Sequence, residues 1–98
     1  MKNDLQKNAN ESTPPAVSII IPAYGEEEAI GSVIEKIHGV MNACGRSYEI
    51  IVIDDGSHDG TAENARNTGA RVVSHPYNIG NGAAVKTGIR SARGEYLV

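Results

Sequence analysis

Tryptophan and phenylalanine are absent from this 98-residue chain, and its four tyrosines are the only aromatic residues. Any core must therefore be aliphatic, built from Ile, Val and Ala, which suits a sheet flanked by helices. A single cysteine, Cys44, excludes a disulfide framework and cysteine-based metal spacing. It agrees with a reducing, cytoplasmic setting. Nine Lys and Arg stand against twelve Asp and Glu, a formal charge of −3. The bases are scattered, so the basic stripe of a nucleic-acid binder is missing. No apolar run approaches the ~18 residues of a membrane span, and the N-terminus lacks the apolar core of a signal peptide. The chain as given is expected to be soluble, and its length bounds it to one small domain.

What is present is organised around Glu49-Ile50-Ile51-Val52-Ile53-Asp54-Asp55-Gly56-Ser57. An apolar, β-branched run without alternation predicts a strand covered on both faces, as in a parallel sheet. Such sheets bind ligands in the crevice beyond the carboxyl ends of their strands, and Asp54 and Asp55 fall at that end.

The remaining elements follow in order. Residues 1–16 are polar and close on Ser12-Thr13-Pro14-Pro15, which predicts a disordered leader before a domain over 17–98. Val17 to Ile21 is a first strand, stopped by Pro22. Glu26-Glu27-Glu28 suits the first turn of a helix. Ile30, Val33, Ile34, Ile37, Val40, Met41 and Cys44 give that helix one buried stripe, and Gly45 ends it. Asp59-Gly60-Thr61 caps a short helix holding Ala62, Ala65 and Arg66. Arg71 to Ser74 is a third strand, and a helix from Ala83 to about Ala92 places Ala84, Val85, Ile89 and Ala92 inside. Glu95 to Val98 begins a fourth strand. Alternating strands and helices predict a three-layer α/β/α unit with a parallel sheet and right-handed crossovers.

Two strand ends carry the chemistry. Pro22-Ala23-Tyr24-Gly25-Glu26 and Asp54-Asp55-Gly56-Ser57 leave neighbouring strands on one side of the sheet. The ring of Tyr24 offers a stacking surface for a base. Ionised Asp55 accepts only, so it selects a base edge that presents N–H, as uracil and guanine do. The alternative for Asp54 to Ser57 is turn chemistry with an Asx hydrogen bond. Gly80-Asn81-Gly82 opens a helix whose N–H groups can approach phosphate oxygens. As a dinucleotide fingerprint this segment fits poorly, because it follows the third strand and its sixth position is Val85. His38, His58 and His75 lie apart without metal-ligand spacing and are assigned to the surface or a boundary. Cys44 is assigned to the core of its helix.

The blocks VSIIIPAYGEEEAI, YEIIVIDDGSHDGTAENA and HPYNIGNGAAVKTGIRSARGEYLV, in this order and spacing, resemble the opening of the family 2 inverting glycosyltransferases. The likeness is greatest to the polyprenyl- and dolichyl-phosphate sugar transferases and runs from Val17 to Val98. It implies a GT-A fold, of which this is the Rossmann-like nucleotide-binding half. It also implies that Pro22, Ala23, Tyr24 and Glu26 line a nucleotide pocket and that Asp55 holds the base with Asp54 alongside. Gly56 lies in the turn after them, and Gly80, Asn81, Gly82 and Ala83 sit near the ribose and diphosphate. Gly25 stands where the family commonly has Asn, and Asn81 where Lys is common.

The family's Asp-x-Asp motif, which holds Mg²⁺ or Mn²⁺ against the sugar-nucleotide diphosphate, is absent from these residues, as is its general base. No catalytic residue and no metal ligand is therefore assigned here. The expectation is a segment that binds a UDP- or GDP-sugar, inactive alone. It would work with the rest of the glycosyltransferase domain in the cytoplasm or on the cytoplasmic face of a membrane, and polyprenyl phosphate is a candidate acceptor. A non-catalytic nucleotide-binding module is the competing expectation. A receiver-like domain fails for want of an acidic residue at the third strand end, where Ser74-His75-Pro76 stands.

Overall fold

A computed structural model describes residues 13–98. The elements are β1 (Val17–Ala23), α1 (Ile30–Cys44), β2 (Tyr48–Asp54), α2 (Thr61–Asn67), β3 (Arg71–Ser74), α3 (Asn81–Ser91) and β4 (Tyr96–Leu97). The four strands form one parallel sheet in the order β3-β2-β1-β4. Side chains alternate along each strand, and both rows of β2 are apolar. Ile50 and Val52 pack with Ile30 and Ile34 of α1 and Ala65 of α2, whereas Ile51 and Ile53 pack with Ala84 of α3. Helices therefore cover both faces, and the three-layer α/β/α expectation holds. Ile51, Val52 and Ile53 are wholly buried, each contributing about 1.5–3 kcal/mol of apolar burial.

The chain moves outward from β1 to β3 with α1 and α2 on one face, then returns across the other face through α3 to β4. The reversal leaves a switch point beside the carboxyl end of β1, where open α/β sheets take their ligands.

Several local expectations are corrected. Pro22 does not stop β1, which continues to Ala23. Two residues earlier, the Ile20 N–H donates toward β4, to the Val98 carbonyl. The N–H that Pro22 lacks would point to that same side, so the ladder to β2 on the other side loses no donor. Glu26 to Glu28 are not in the first helical turn, which starts at Ile30 and holds no acid. They form the preceding turn, where the Ala29 and Ile30 N–H groups donate to the Glu26 carbonyl.

On α1, Ile30, Ile34, Ile37 and Met41 form the packed row, while Val33, Val40 and Cys44 are exposed. The packed residues are spaced by four, three and four, and Val33 and Val40 fall on the flank of that row. On α3 the packed row is Ala84, Gly88 and Ala92 rather than Val85 and Ile89, which are exposed. Small residues win here because the helix lies directly on Ile20: a Cβ on Gly88 would stand 2.2 Å from Ile20 Cγ2.

At the amino ends of the strands, Glu49 ties the layers together. Its carboxylate accepts from Ser18 Oγ at 2.6 Å, Arg71 Nη2 at 3.0 Å and the Arg93 N–H at 2.8 Å. Ser18 Oγ in turn accepts the Gly94 N–H. The expected leader lies outside the described residues over 1–12. Its last residue, Ala16, donates to Ser47 and accepts from the Tyr96 N–H.

Candidate functional site

The register of β1 against β2 pairs Ala23 with Asp54, so both strand ends open on the same rim. The Asp55 N–H donates to the Ala23 carbonyl at 2.8 Å and extends the ladder past the strands. Gly25 takes φ +64°, with open space where a Cβ would stand. This left-handed turn is one that Gly or Asn adopts. It is clamped to the loop after β2: the Gly25 N–H donates to Ser57 Oγ, the Glu26 N–H to Thr61 Oγ1, and Glu27 Oε1 accepts the Gly60 N–H.

Beyond the rim lies a cleft of about 300 Å³, lined by Pro22, Ala23, Tyr24, Glu26, Asp55, Asn78, Gly80, Asn81 and Ala84. Tyr24 is half exposed and presents its ring there. Of the residues singled out in the sequence, Asp54, Gly56, Gly82 and Ala83 do not line it. Asp54 and Asp55 are both nearly buried, but strand alternation sends them apart. Asp54 continues the row of Ile50 and Val52, and its Oδ1 accepts the Ser57 N–H at 3.2 Å. The turn chemistry weighed for this segment is therefore present, at Asp54 rather than Asp55. Gly82 and Ala83 lie in the first turn of α3.

Gly56 has a different task. It takes φ +79°, and a Cβ there would stand 2.4 Å from the Tyr77 carbonyl carbon. Only a glycine lets the loop after β3 lie against the turn after β2.

Asp55 is the centre of that contact. Its Oδ1 accepts from His75 Nδ1 at 2.7 Å and from the Ile79 N–H at 3.0 Å. Its Oδ2 accepts from the Gly80 N–H at 2.8 Å and from Asn78 Nδ2 at 3.1 Å. The His75 hydrogen bond, followed by the backbone N–H groups, holds the Asp55 carboxyl below the usual carboxylate range despite its burial. Asp59 is likewise lowered, first by the Thr61 hydroxyl and then by the Thr61 N–H.

His75 departs from its surface assignment. Its side chain is only 10% exposed, and its Nε2 meets Thr87 Oγ1 of α3 at 2.8 Å. The sequence signal was positional: β3 pairs in register with β2, Ser74 opposite Asp54, so the next residues, His75 and Asp55, are neighbours. His38, assigned to a boundary, is half-buried and joins Tyr48 to the Thr68 carbonyl.

Among the described residues, no group of three or more His, Cys, Asp and Glu side chains is placed to hold a metal ion. The cleft residues do not fit a metal centre of their own. What the arrangement offers is an aromatic surface, a fixed carboxylate and the amino end of an eleven-residue helix, α3, side by side.

The family profile described as Glycosyl transferase family 2 matches residues 18–98. The chain is 32% identical over 95 residues to an undecaprenyl-phosphate 4-deoxy-4-formamido-L-arabinose transferase of Aeromonas hydrophila, covering 91% of this chain and 29% of that protein. It is 36% identical over 106 residues to a dolichyl-phosphate beta-glucosyltransferase of Dictyostelium discoideum, covering 96% of this chain and 32% of that protein. The chain thus spans about a third of the length of these relatives. Among solved structures, it superposes with a TM-score of 0.70 and 31% identity on glucosyl-3-phosphoglycerate synthase of Mycobacterium tuberculosis, in complex with Mn²⁺, UDP-glucose and phosphoglyceric acid. That match covers 93% of this chain and 34% of the synthase. With the three blocks, the parallel sheet and this profile in agreement, the chain belongs to glycosyl transferase family 2 and carries the Rossmann-like half of its GT-A fold.

Proposed function

We propose that residues 17–98 form the nucleotide-sugar-binding part of a glycosyltransferase that takes a UDP- or GDP-sugar and transfers the sugar, with inversion, to an acceptor such as a polyprenyl phosphate. The observation that carries this is the cleft at the ends of β1 and β2, where the exposed Tyr24 ring stands across from a fixed Asp55 carboxylate. A base stacks on Tyr24 and gives its N–H to Asp55. Asn81 and the amino end of α3 face the phosphates.

The relatives' printed acceptors, undecaprenyl and dolichyl phosphate, support the acceptor class. The UDP-glucose in the mycobacterial synthase supports the donor class. A divalent ion belongs to the proposal because Mn²⁺ accompanies the nucleotide in that synthase. The described residues do not supply a cluster to hold it, so they are assigned to binding, and the segment alone is proposed to be inactive. No helix among them is long and apolar enough to cross a membrane. The working place proposed is the cytoplasm or the cytoplasmic face of a membrane.

Calorimetric titration of the full-length protein with UDP, GDP and ADP tests this. UDP or GDP should bind at least ~10-fold more tightly than ADP, and Asp55→Asn should remove most of that advantage, because a hydrogen bond to a charged acceptor is lost. Equal affinity for all three rejects the reading.

A further inference from the structure

An ionised carboxylate offers about four acceptor positions, and those of Asp55 all have a donor. Two donors fall on each oxygen. Any base N–H reaching Asp55 must displace one of them. The Ile79 and Gly80 N–H groups are fixed in the backbone that leads into α3. His75 is nine-tenths buried and meets Thr87 on its far side. Asn78 is exposed, and its amide makes the longest of the four contacts. Both partners of Oδ2, Asn78 and Gly80, line the cleft, whereas the partners of Oδ1, His75 and Ile79, do not. Rotation of the Asn78 amide therefore opens one acceptor position, on the oxygen whose partners face the cleft.

Resting on the nucleotide-sugar reading above, we propose that His75, braced by Thr87, is a positioning and specificity-determining residue. It closes Oδ1 of Asp55, so that the cleft accepts a base with a single N–H, uracil, in preference to guanine. Uracil presents N3–H between two carbonyl oxygens, which suits one open oxygen of Asp55 beside a released Asn78 amide donor. Guanine presents N1–H and N2–H side by side and needs both oxygens of one carboxylate, and Oδ1 already holds the ring of His75 and the Ile79 N–H. Without the imidazole, Oδ1 regains one acceptor position, while the Ile79 and Gly80 N–H groups still hold the carboxylate.

Two substitutions separate this role from space filling. In His75→Asn the amide nitrogen stands near the place of Nδ1 and keeps the donor to Asp55. In His75→Gln it reaches the place of Nε2 and keeps only Thr87. The full-length protein and both variants are titrated with UDP, GDP and ADP. The native protein and His75→Asn should prefer UDP over GDP by ~10-fold or more, and His75→Gln should fall below ~3-fold, as expected for loss of one hydrogen bond to a charged group. A histidine that only fills space gives the reverse order, because Gln is closer to it in volume, and that order overturns the inference. Should His75→Gln fail to fold by circular dichroism, His75→Asn decides, because it keeps the donor to Asp55. A UDP preference below ~3-fold in a folded His75→Asn overturns the inference. Equal affinity for UDP and GDP in the native protein, with both above ADP, overturns this inference and leaves the nucleotide-sugar reading standing. Equality with ADP removes that reading itself.

Discussion

Two glycines near the cleft do opposite things for one physical reason, the space around a left-handed backbone. Gly56 combines φ +79° with a Cβ position 2.4 Å from the Tyr77 backbone. Gly56→Ala should lower stability by about 2 kcal/mol or more, the sum of a strained φ and an overpacked contact, read as a shift of the urea midpoint. Gly25 has φ +64° and open space, so Gly25→Asn should cost less than about 1 kcal/mol, since Asn enters this region readily. If the two variants lose equal stability, the close approach of the 75–80 loop to Gly56 is wrong. The departure at Gly25 is thus mild in backbone terms, because Gly and Asn solve the same turn. Sequence singled out Gly56 as part of a motif; the reason it must be glycine is a neighbour 21 residues away, at Tyr77.

Among the elements, α3 shows how close packing overrides side-chain size. Its buried row is Ala84, Gly88 and Ala92, and Gly88 sits on Ile20 of β1. Gly88→Ala should destabilise by about 1–3 kcal/mol through overpacking, despite the better helix propensity of Ala. Combining it with Ile20→Ala, which removes the clashing methyl groups, should recover at least about 1 kcal/mol relative to additivity in a double-mutant cycle. Strict additivity would mean that the helix stands off the sheet. The same placement aims the first turn of α3 at the cleft and brings Thr87 beside His75. Periodicity alone could not choose between the row through Val85 and Ile89 and the row through Ala84 and Gly88, because both have helical spacing and only the distance to the sheet separates them.

Across the whole molecule, the two ends of the sheet carry different kinds of polar chemistry. The amino ends are stapled by Glu49, which joins β1, β3 and the turn before β4 through Ser18, Arg71 and Arg93. Burial raises the Glu49 pKa, and the hydrogen bonds from Ser18, the Arg93 N–H and Arg71 outweigh it, for a net lowering from 4.5. A carboxyl lowered in the folded state stabilises fully above its unfolded value and loses that contribution as pH falls through the folded one. Stability should therefore drop on acidification from about 4.5 downward, and Glu49→Gln should be less stable at neutral pH with a shallower acid limb. Equal acid slopes, measured by urea denaturation across this range, would remove Glu49 from the staple. By itself, the sequence determined the alternation of strands and helices, the parallel sheet and the rim that carries Tyr24 and Asp55, because runs of β-branched residues and turn residues act locally. Only the tertiary structure decided that the adjacent Asp54 and Asp55 diverge to opposite faces, that His75 is buried against Asp55, and that small residues of α3 meet the sheet. Those outcomes depend on register and on the distance between layers, which arise only when separate segments pack together.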